Sequence, residues 1–477
     1  MGEARFNDYT AVILAGGNSK RMKSNLPKAM FDVCGKPMIG MVYDAVARSG
    51  VGRCVVVTGF GADGVVKYLG DRVEYAYQDK QLGTGHALLT ALEYLAGAPA
   101  PDARAQTGRA PSGHVLVLYG DMPLISVHTL TALMERCAAE REQGVLVSAE
   151  IRDKCSYGRV LRDACGAFRR IVELKDATEA EARVTEMNIG VYCFESAAVM
   201  DALRRVTPDN AQGEIYLTDA LAEILKAGGR VGIYKTENER EHLGANDRVE
   251  LAELNRIRRD DICKDLMLES GVAIIDKNTT YVDSDVTIGM DTTIYPGCVL
   301  ERGTVIGKNC EIGPNTRIAN SSVGDGSKVA YSVVTDAAIG ESVTVGPFAH
   351  LRPGAAIGNK TKIGGYVEIK NAVIGERVSI SHLAYIGDAD VGDNVNIGCG
   401  AITCNYDGKL KHRTTIGSNA FIGSNANLIA PVTVHENAYV ASGSTITDDV
   451  PEDALAIARG RQVNKENWVS RKGLRRG

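Results

Sequence analysis

The chain has 477 residues and a formal net charge of -5, so two or three domains are expected and no overall positive charge favours nucleic acid. No apolar run reaches the roughly 18–20 residues of a membrane-spanning helix, and the polar start, residues 1–10, does not resemble a signal peptide. Eleven cysteines lie scattered without a CxxC pair, which predicts free thiols in a reducing cytoplasm rather than disulfides or a zinc site.

Residues 1–246 predict an α/β domain with a mostly parallel sheet, because strand-like apolar runs alternate with helical stretches such as 86–95 and 127–140. The strand-like runs are Ala11–Ala15, Val55–Thr58, Val115–Tyr119, Val145–Ala149 and Gly190–Phe194. The stretch 97–113, rich in Ala, Pro and Gly, predicts a flexible surface insertion.

A glycine-rich turn follows the first predicted strand. It reads Gly16-Gly17-Asn18-Ser19-Lys20-Arg21-Met22 and leads to Leu26-Pro27-Lys28. Backbone N–H groups in such a turn can approach phosphates closely, and Arg21 and Lys28 supply countercharge for a triphosphate. The spacing matches neither the P-loop nor the dinucleotide-binding pattern. By itself the turn is weak evidence, because glycine-rich turns after strands are common.

The segment 247–268 contains long charged and aliphatic residues without Gly or Pro, and it predicts a helix that joins two halves of the chain. From about residue 272 to 450, an aliphatic residue recurs every six positions, often followed by Gly. The three uninterrupted runs begin at Ile288, Ile339 and Ile416. The period slips by one residue at Ile374 and Val391, and it breaks near 321–336 and 405–412.

A period of six fits neither an α-helix nor a hairpin sheet, and an ordinary β-sandwich would not keep it so long. It predicts short strands and tight turns stacked into a parallel β-helix, with one aliphatic side chain per unit pointing inward. Gly after the aliphatic residue suits a turn where a Cβ would crowd the backbone. Such a β-helix can also serve only as an oligomerisation rod.

Three features of the repeat favour a catalytic site over a rod. Polar and charged residues that could bind an anionic sugar phosphate are concentrated in one segment of the repeat. They are Arg352, Lys370, His382, Tyr385 and Asn396. The segment 403–408 is predicted to be extruded where the repeat breaks, and 455–459 follows the last predicted coil. A histidine titrates near neutral pH and suits a general base, although a lone histidine in a repeat is more often structural.

Further motifs follow the glycine-rich turn in order, namely Gln78, Gln81–Ala87, Tyr119–Leu124, Tyr157–Arg159, Val172–Glu173, Lys175–Asp176, Asn188–Gly190 and Asn246. With the turn, they resemble the sugar-1-phosphate nucleotidyltransferase family, and Ser381–Asp388 resembles the GHLxYxGD segment of an acyltransferase. Over nearly the whole length, the chain is similar to the bacterial bifunctional N-acetylglucosamine-1-phosphate uridyltransferases/glucosamine-1-phosphate N-acetyltransferases. The resemblance implies a Rossmann-like nucleotidyltransferase domain (1–246), a linker helix (247–268) and a left-handed β-helix acetyltransferase domain (269–477).

For the first domain, the resemblance implies UTP and UDP-sugar binding, with Arg21 and Lys28 countering the phosphate charge. The implied binding residues are Leu14, Ala15, Gly16, Gly17, Lys28, Gln78, Gly83, Thr84, Tyr119, Gly120, Asp121, Gly158, Glu173, Asn188 and Asn246. Asp121 and Asn246 would ligate Mg²⁺, since oxygen ligands suit a hard cation.

For the second domain, the resemblance implies acetylation of glucosamine-1-phosphate by acetyl-CoA, with His382 as general base. Arg352 and Lys370 would hold the phosphate, while Tyr385 and Asn396 would position the sugar. Cys399, Asn405, Tyr406, Ser424, Ser442 and Arg459 match the family's acetyl-CoA contacts. The product, after uridylyl transfer, is UDP-N-acetylglucosamine, a cell-wall precursor, and the family is homotrimeric, with sites shared between β-helices.

The sequence departs from the family pattern at three positions. Ser19 stands where the phosphate loop usually has Gly, and Ser adopts a positive φ less readily than Gly does. Cys399 and Ser442 stand where relatives carry Ala. For Cys399, a small thiol that packs beside the coenzyme is a simpler interpretation than a covalent acyl-enzyme. Two alternatives stay open: a nucleotidyltransferase with a purely regulatory β-helix, and an inactive scaffold or exchange-factor subunit.

Overall fold

The structure is a computed structural model that describes residues 6–17, 21–59, 61–97, 113–152 and 157–475. Most of the predicted insertion at 97–113, and Ser19 in the glycine-rich turn, lie outside these residues. The chain divides into two compact units, Met1–Arg258 and Arg259–Gly477. No helix in the described ranges is both long and apolar enough to cross a membrane.

The first unit alternates strands and helices. Its strands are β1 Phe6–Leu14, β2 Asp32–Val33, β3 Lys36–Pro37, β4 Val51–Thr58, β5 Glu74–Tyr77, β6 His114–Tyr119, β7 Gly144–Glu150, β8 Arg159–Arg162, β9 Phe168–Val172, β10 Glu186–Glu195 and β11 Val231–Lys235. Its helices are α1 Met38–Arg48, α2 Ala62–Leu69, α3 Thr84–Leu95, α4 Val127–Glu140, α5 Ser196–Arg205 and α6 Leu217–Lys226. Short 3-10 turns occupy Lys28–Met30, Gly70–Arg72, Leu174–Asp176, Glu181–Arg183 and Glu239–His242. The helix α7, Arg248–Leu268, follows.

The main sheet has the strand order β11-β7-β10-β6-β1-β4-β5, and β8 and β9 extend from β10. Its neighbours are parallel except where β10 runs antiparallel to β6 and β7. The predicted Rossmann-like, mostly parallel sheet is therefore confirmed. β1 lies between β4 and β6, so the chain crosses over on both sides of this strand and leaves a crevice at its carboxyl end.

Alternate residues of β1 supply two cores, one on each face of the sheet. Ala11 and Ile13 pack with apolar residues of α1, α2 and α4. Val12 and Leu14 pack with α3, α5 and α6 on the other face. A strand buried on both faces reads as a continuous apolar run, which explains why the sequence signal for β1 is strong.

The second unit consists of short strands and one terminal helical turn, α8 Trp468–Arg471. The strands β12 to β39 are, in order, Ala273–Ile274, Tyr281–Val282, Thr287–Ile288, Thr293–Ile294, Val299–Glu301, Val305–Ile306, Glu311–Ile312, Arg317–Ala319, Ser322–Val323, Lys328–Val329, Val333–Thr335, Ala338–Ile339, Thr344–Val345, His350–Leu351, Ala356–Ile357, Lys362–Gly365, Glu368–Ile374, Ser379–His382, Tyr385–Val391, Asn396–Ile397, Ile402–Cys404, Thr414–Ile416, Phe421–Ile422, Asn427–Ile429, Val432–Val434, Tyr439–Val440, Thr445–Ile446 and Leu455–Ala456. The paired neighbours among them are parallel, as in β15 with β18 and β28 with β30, and the aliphatic residues of the three six-residue runs are buried. The predicted parallel β-helix is confirmed.

The pairing register shows how the repeat becomes a coil. Ile294 pairs with Ile312, eighteen residues on, so three hexapeptides complete one turn of the β-helix. Val391 instead pairs with Ile416, twenty-five residues on, because residues 405–412 leave the coil. The predicted extrusion is therefore real, but its start at 403 is wrong, since Ile402–Cys404 still forms a strand.

The earlier break in the repeat, near 321–336, has the opposite cause. Ile318 pairs with Val334, only sixteen residues on, so this coil has lost two residues and extrudes nothing. The prediction that 455–459 follows the last coil is wrong at its start. Leu455–Ala456 still pairs in parallel with Tyr439–Val440, so this segment begins inside the last coil.

Glycine after the aliphatic residue lets successive coils approach each other. A Cβ on Gly358 would lie 2.5 Å from the carbonyl carbon of Gly375 in the next coil, and Gly324 meets Gly340 in the same way. The predicted crowding is confirmed. Most positions of the coils with positive φ are other residues, such as Asn394 with φ 57°, although Gly313 and Gly346, which follow Ile312 and Val345, also have φ 106°.

Candidate active sites

A cleft opens at the carboxyl ends of β1, β5 and β6. It consists of a larger cavity of about 550 Å³ and a smaller one of about 280 Å³. Lys28, Thr84, Tyr119, Asp121 and Asn246 line both cavities, so the two are parts of one cleft. Crevices at this edge of a parallel sheet are the usual ligand sites of α/β domains.

The structure brings nearly all the residues predicted for the first site to this cleft. Leu14, Ala15, Gly16, Gly17, Arg21, Gln78 and Gly83 line the larger cavity, and Gly158, Glu173 and Asn188 line the smaller one. Gly120 lines neither cavity. Its Cα packs below them, where a Cβ would touch the side chains of Ala15 and Ala29 at 3.4 Å.

The ammonium group of Lys28 lies between the two predicted metal ligands, Asp121 and Asn246. The Lys28 ammonium forms an ion pair with Asp121 and donates to Asn246 Oδ1 at 2.7 Å. Arg21 Nη2 donates to the same amide oxygen at 2.8 Å. A carboxylate and an amide oxygen thus converge on one positively charged point, the donor set that a hard divalent cation takes alongside substrate oxygens and water.

The loop before α3 forms the wall of the larger cavity. Gly83 has φ 108°, and a Cβ there would lie 2.6 Å from the carbonyl oxygen of Ile215, so only glycine fits. Thr84 Oγ1 accepts a hydrogen bond from the backbone N–H of Leu217 at 3.1 Å. Gln81 Nε2 donates to the carbonyl oxygen of Gly16 at 2.7 Å and ties this loop to the glycine-rich turn.

The smaller cavity is polar on one side. The backbone N–H of Asn188 donates to the carbonyl oxygen of Gly158 at 2.9 Å, and its side-chain Nδ2 donates to the Tyr192 hydroxyl at 2.7 Å. A Cβ on Gly158 would lie 3.0 Å from Glu173 Oε1. The absence of a side chain at Gly158 therefore keeps the Glu173 carboxyl accessible to a ligand hydroxyl.

Glu173 is the most perturbed acid of the cleft. Burial, followed by repulsion from Asp219 and Asp176, raises the pKa of Glu173 to about 7, against an opposing effect of Arg159. The same burial raises the pKa of Asp219. Near neutral pH, Glu173 can therefore exchange between a hydroxyl donor and a carboxylate acceptor.

In the β-helix, three cations meet on one face. The backbone N–H of Arg352 donates to the carbonyl oxygen of Ile369 at 2.8 Å, which places Arg352 and Lys370 in neighbouring coils. Lys411, from the segment 405–412, contacts Lys370, and this contact with a second ammonium lowers the pKa of Lys370. Such crowding of like charges favours binding of an anion.

A buried acid supports the base of the extruded segment. Asp388 is buried and accepts hydrogen bonds from the amides of Asn371, one coil before, and Asn405, one coil after. The backbone N–H of His412 donates to the carbonyl oxygen of Asn405 at 2.8 Å and closes the segment. Asn405 Nδ2 also lies 3.5 Å from the Tyr385 hydroxyl.

His382 begins a column of predicted residues along the β-helix. Ser379 pairs with Asn396, and Asn396 with Phe421, so the residues three positions on, His382, Cys399 and Ser424, stack in successive coils about 4.8 Å apart. The backbone N–H of Gly443 donates to the carbonyl oxygen of Ser424 at 2.8 Å. Arg459 Nη1 donates to the carbonyl oxygen of Ser442 at 2.9 Å. The column thus continues through Ser442 to Arg459.

The second set of predicted residues is divided between two faces. Arg352, Lys370 and Tyr385 lie on one face, whereas His382 and Asn396 lie in strands of the next. Tyr406 is 61% exposed on the extruded segment, where its hydroxyl donates to the carbonyl oxygen of Gly408 at 2.7 Å. Within the described part of the chain, no hydrogen bond joins Asn396 to Tyr385.

Sequence reasoning assigned no role to Lys411, Asn371 or Asp388, although Asp388 ends the motif Ser381–Asp388. Lys411 lies in the repeat break at 405–412, which also contains Lys409 and His412, so its basic composition was a usable signal. Asn371 and Asn405 both reach Asp388 only because seventeen-residue coils stack the three residues, a relation that needs the pairing register.

Both units match models of known protein families. Residues 11–224 match the MobA-like NTP transferase domain, residues 282–353 match the GMPPB C-terminal domain, and 336–371 and 413–448 match the bacterial transferase hexapeptide. The cleft at the sheet edge and the hexapeptide β-helix therefore define a two-domain transferase.

Curated relatives align over nearly the full length. The bifunctional protein GlmU of Geobacillus sp. (strain WCH70) is 49% identical over 467 residues, covering 98% of each chain. GlmU of Acetivibrio thermocellus is 47% identical, also over 98% of each chain, and that of Caldanaerobacter subterraneus is 49% identical over 97% and 98%. The chain belongs to the GlmU family and is a bifunctional transferase.

The raised pKa of Glu173 predicts that the wild-type protein and the variant Glu173→Gln differ in stability by an amount that depends on pH. The folded protein holds this proton more tightly than the unfolded chain does, so the stabilisation is complete below pH 4.5 and is lost as pH rises through about 7. Glu173→Gln, which resembles the protonated form, should therefore raise the free energy of unfolding at pH 8 by up to about 3 kcal/mol. Denaturant unfolding of both proteins at pH 4.5 and 8 measures this; an equal difference at both pH values would contradict it.

Proposed function

We propose that the chain catalyses two consecutive reactions. In the β-helix unit, glucosamine-1-phosphate is acetylated by acetyl-CoA. In the first unit, the resulting N-acetylglucosamine-1-phosphate takes UMP from UTP, giving UDP-N-acetylglucosamine and pyrophosphate. The observation that carries the proposal is that one chain contains two separate cation-lined sites, around Arg21 and Lys28 and around Arg352, Lys370 and Lys411.

Uridylyl transfer requires alignment and charge neutralisation more than covalent chemistry. An oxygen of the sugar 1-phosphate attacks the α-phosphorus of UTP, and the bond to the departing pyrophosphate breaks. Arg21 and Lys28 counter the charge of the phosphates, while Gln78, Gly83 and Thr84 hold the nucleoside. Gly158, Glu173 and Asn188 take the N-acetylglucosamine part, for which the polar smaller cavity has suitable groups.

Asp121 and Asn246 are proposed to hold Mg²⁺. Their oxygens converge on the Lys28 ammonium, which supports the fit, since a cation is already stabilised at that point. Mg²⁺ bound there supplies charge neutralisation to substrate phosphate oxygens. Lys28 then remains available to contact the phosphates.

Acetyl transfer is proposed to depend on His382. It takes a proton from the glucosamine amine as the nitrogen attacks the thioester carbonyl carbon, and the carbon–sulfur bond breaks to release coenzyme A as a thiolate. Arg352 and Lys370, with Lys411, hold the 1-phosphate, while Tyr385 and Asn396 position the sugar. Acetyl-CoA contacts Cys399, Asn405, Tyr406, Ser424, Ser442 and Arg459; the column from His382 to Arg459 supports an extended ligand there.

Product analysis with glucosamine-1-phosphate, acetyl-CoA, UTP and Mg²⁺, each omitted in turn, tests the two reactions. His382→Ala should lower acetyl transfer by about 10²–10⁴-fold and leave uridylyl transfer unchanged, whereas Lys28→Ala should do the reverse. A loss of both activities in either variant would contradict two independent sites. Thiol release that does not depend on glucosamine-1-phosphate would restore the alternative of a purely regulatory β-helix.

Lys411 gives a sharper test of the phosphate site. Lys411→Ala should raise the KM for glucosamine-1-phosphate about tenfold, because a hydrogen bond to a charged group contributes about 1.5–3 kcal/mol, with a smaller effect on the KM for acetyl-CoA. Lys409→Ala in the same extruded segment is the matched control. Equal KM values for the two variants would exclude Lys411 from phosphate binding.

We propose that the chain assembles as a homotrimer through its β-helix. Tyr331, Phe348 and Tyr366 support a packed surface, because they stack on successive coils with ring centroids 5.7 and 5.3 Å apart, although 42–66% of each is exposed. Phe348→Ser with Tyr366→Ser should shift sedimentation towards monomer and lower acetyl transfer, while uridylyl transfer persists. A monomeric wild-type protein with full acetyl transfer would contradict the proposal.

A cytoplasmic location is proposed as well, with small molecules rather than nucleic acid or membrane as partners. The ten cysteines of the described ranges form no disulfide, in keeping with a reducing compartment.

A further inference from the structure

Gln78 reaches the larger cavity from the end of β5. Its backbone N–H donates to the carbonyl oxygen of Thr58 at 2.8 Å, and the residue is only 5% exposed. A buried amide needs hydrogen-bond partners for its polar atoms, so its orientation is set by the groups around it.

Two neighbours determine which end of the Gln78 amide faces the cavity. Nε2 donates to the carbonyl oxygen of Gly83 at 3.3 Å and lies 2.9 Å from Nδ1 of His86. A carbonyl oxygen can only accept, so the amino group must be the end that faces Gly83. It follows that His86 Nδ1 accepts as well and that the neutral ring carries its proton on Nε2.

The oxygen of the amide is consequently turned towards Gly16. A Cβ on Gly16 would lie 3.2 Å from Oε1, and within the described ranges no hydrogen bond engages this oxygen. Gln78 and Gly16 both line the larger cavity. The Gln78 side chain therefore presents its acceptor, Oε1, to a ligand in the cavity, while its donor, Nε2, points to Gly83 and His86.

His86 contacts Gln78 from outside the two described cavities. It is the third residue of α3, where its carbonyl oxygen accepts from Thr90 Oγ1 at 2.9 Å. Gln78, Gly83 and Ala87 line the larger cavity, but His86 is absent from the lining of both cavities.

We propose that His86 is a positioning residue for the choice of nucleobase, an inference that rests on the proposed uridylyl transfer. By accepting from Nε2, it keeps Oε1 towards the cavity, where a base whose ring N3 carries hydrogen can donate to it. Uracil has this N3–H. Cytosine has a lone pair at N3, which would face Oε1 and be repelled. If the amide were rotated, Nε2 would face the cavity and could donate to cytosine N3.

The test compares UTP with CTP in pyrophosphate release from N-acetylglucosamine-1-phosphate. His86→Phe keeps a ring but removes the acceptor, and it should lower the ratio of kcat/KM for UTP to that for CTP by about tenfold, the effect of one hydrogen bond. His86→Asn, whose Oδ1 can accept near the position of Nδ1, should keep the ratio within about threefold. The thermal unfolding of each variant controls for folding of the first unit, on which acetyl transfer in the second unit does not report.

A UTP-to-CTP ratio unchanged in His86→Phe, or equal losses with both nucleotides, would overturn the role of His86. Where His86→Phe does not fold, His86→Leu provides the same comparison. A wild-type protein that releases no pyrophosphate with UTP would instead contradict the proposed function, so the two failures are distinguishable.

Discussion

Parallel pairing of β-strands is the interaction on which both units depend. In the first unit it brings the carboxyl ends of β1, β5 and β6 to one edge, where the turns after them form a cleft. In the second unit it stacks whole coils, so that residues about eighteen positions apart in sequence become neighbours. Because parallel strands need long crossovers, both arrangements bring together residues that are distant in sequence.

The chain is acidic overall, and its proposed substrates are anions. Positive charge is therefore concentrated locally, and in each unit an acid lies among the cations. Lys28 is paired with Asp121. Lys370 and Lys411 repel each other, and attraction to Asp388 opposes the repulsion at Lys370. Such pairing keeps a cation cluster stable without a ligand, and a phosphate can then compete for it.

The fold was predictable because its signals are periodic. The helix α4, Val127–Glu140, was predicted at its observed bounds, and the six-residue period led directly to the β-helix. Boundaries were less accurate: β10, Glu186–Glu195, is longer than the predicted Gly190–Phe194. Its first residues include Met187 and Asn188, whose pattern does not alternate because both faces of the strand are buried.

The candidate sites were predictable only as far as motifs extend. Every residue of the first set except Gly120 reaches the cleft. Many of these residues lie at the carboxyl ends of β1, β5 and β6 or in the turns after them, whereas Asn188 lies within β10 and Gly158 directly precedes β8. The motif that ends at Asp388 and the basic composition around Lys411 do not show which residues these two side chains contact, because the contacts depend on how the coils stack. The sequence by itself determined the two architectures, through hydrophobic period and turn composition. Only the tertiary structure decided which cations meet and how the shortened coil near 321–336 pairs, because both depend on the register between strands. It also decided the amide orientation that His86 stabilises, because the loop between β5 and α3 brings Gln78 against His86.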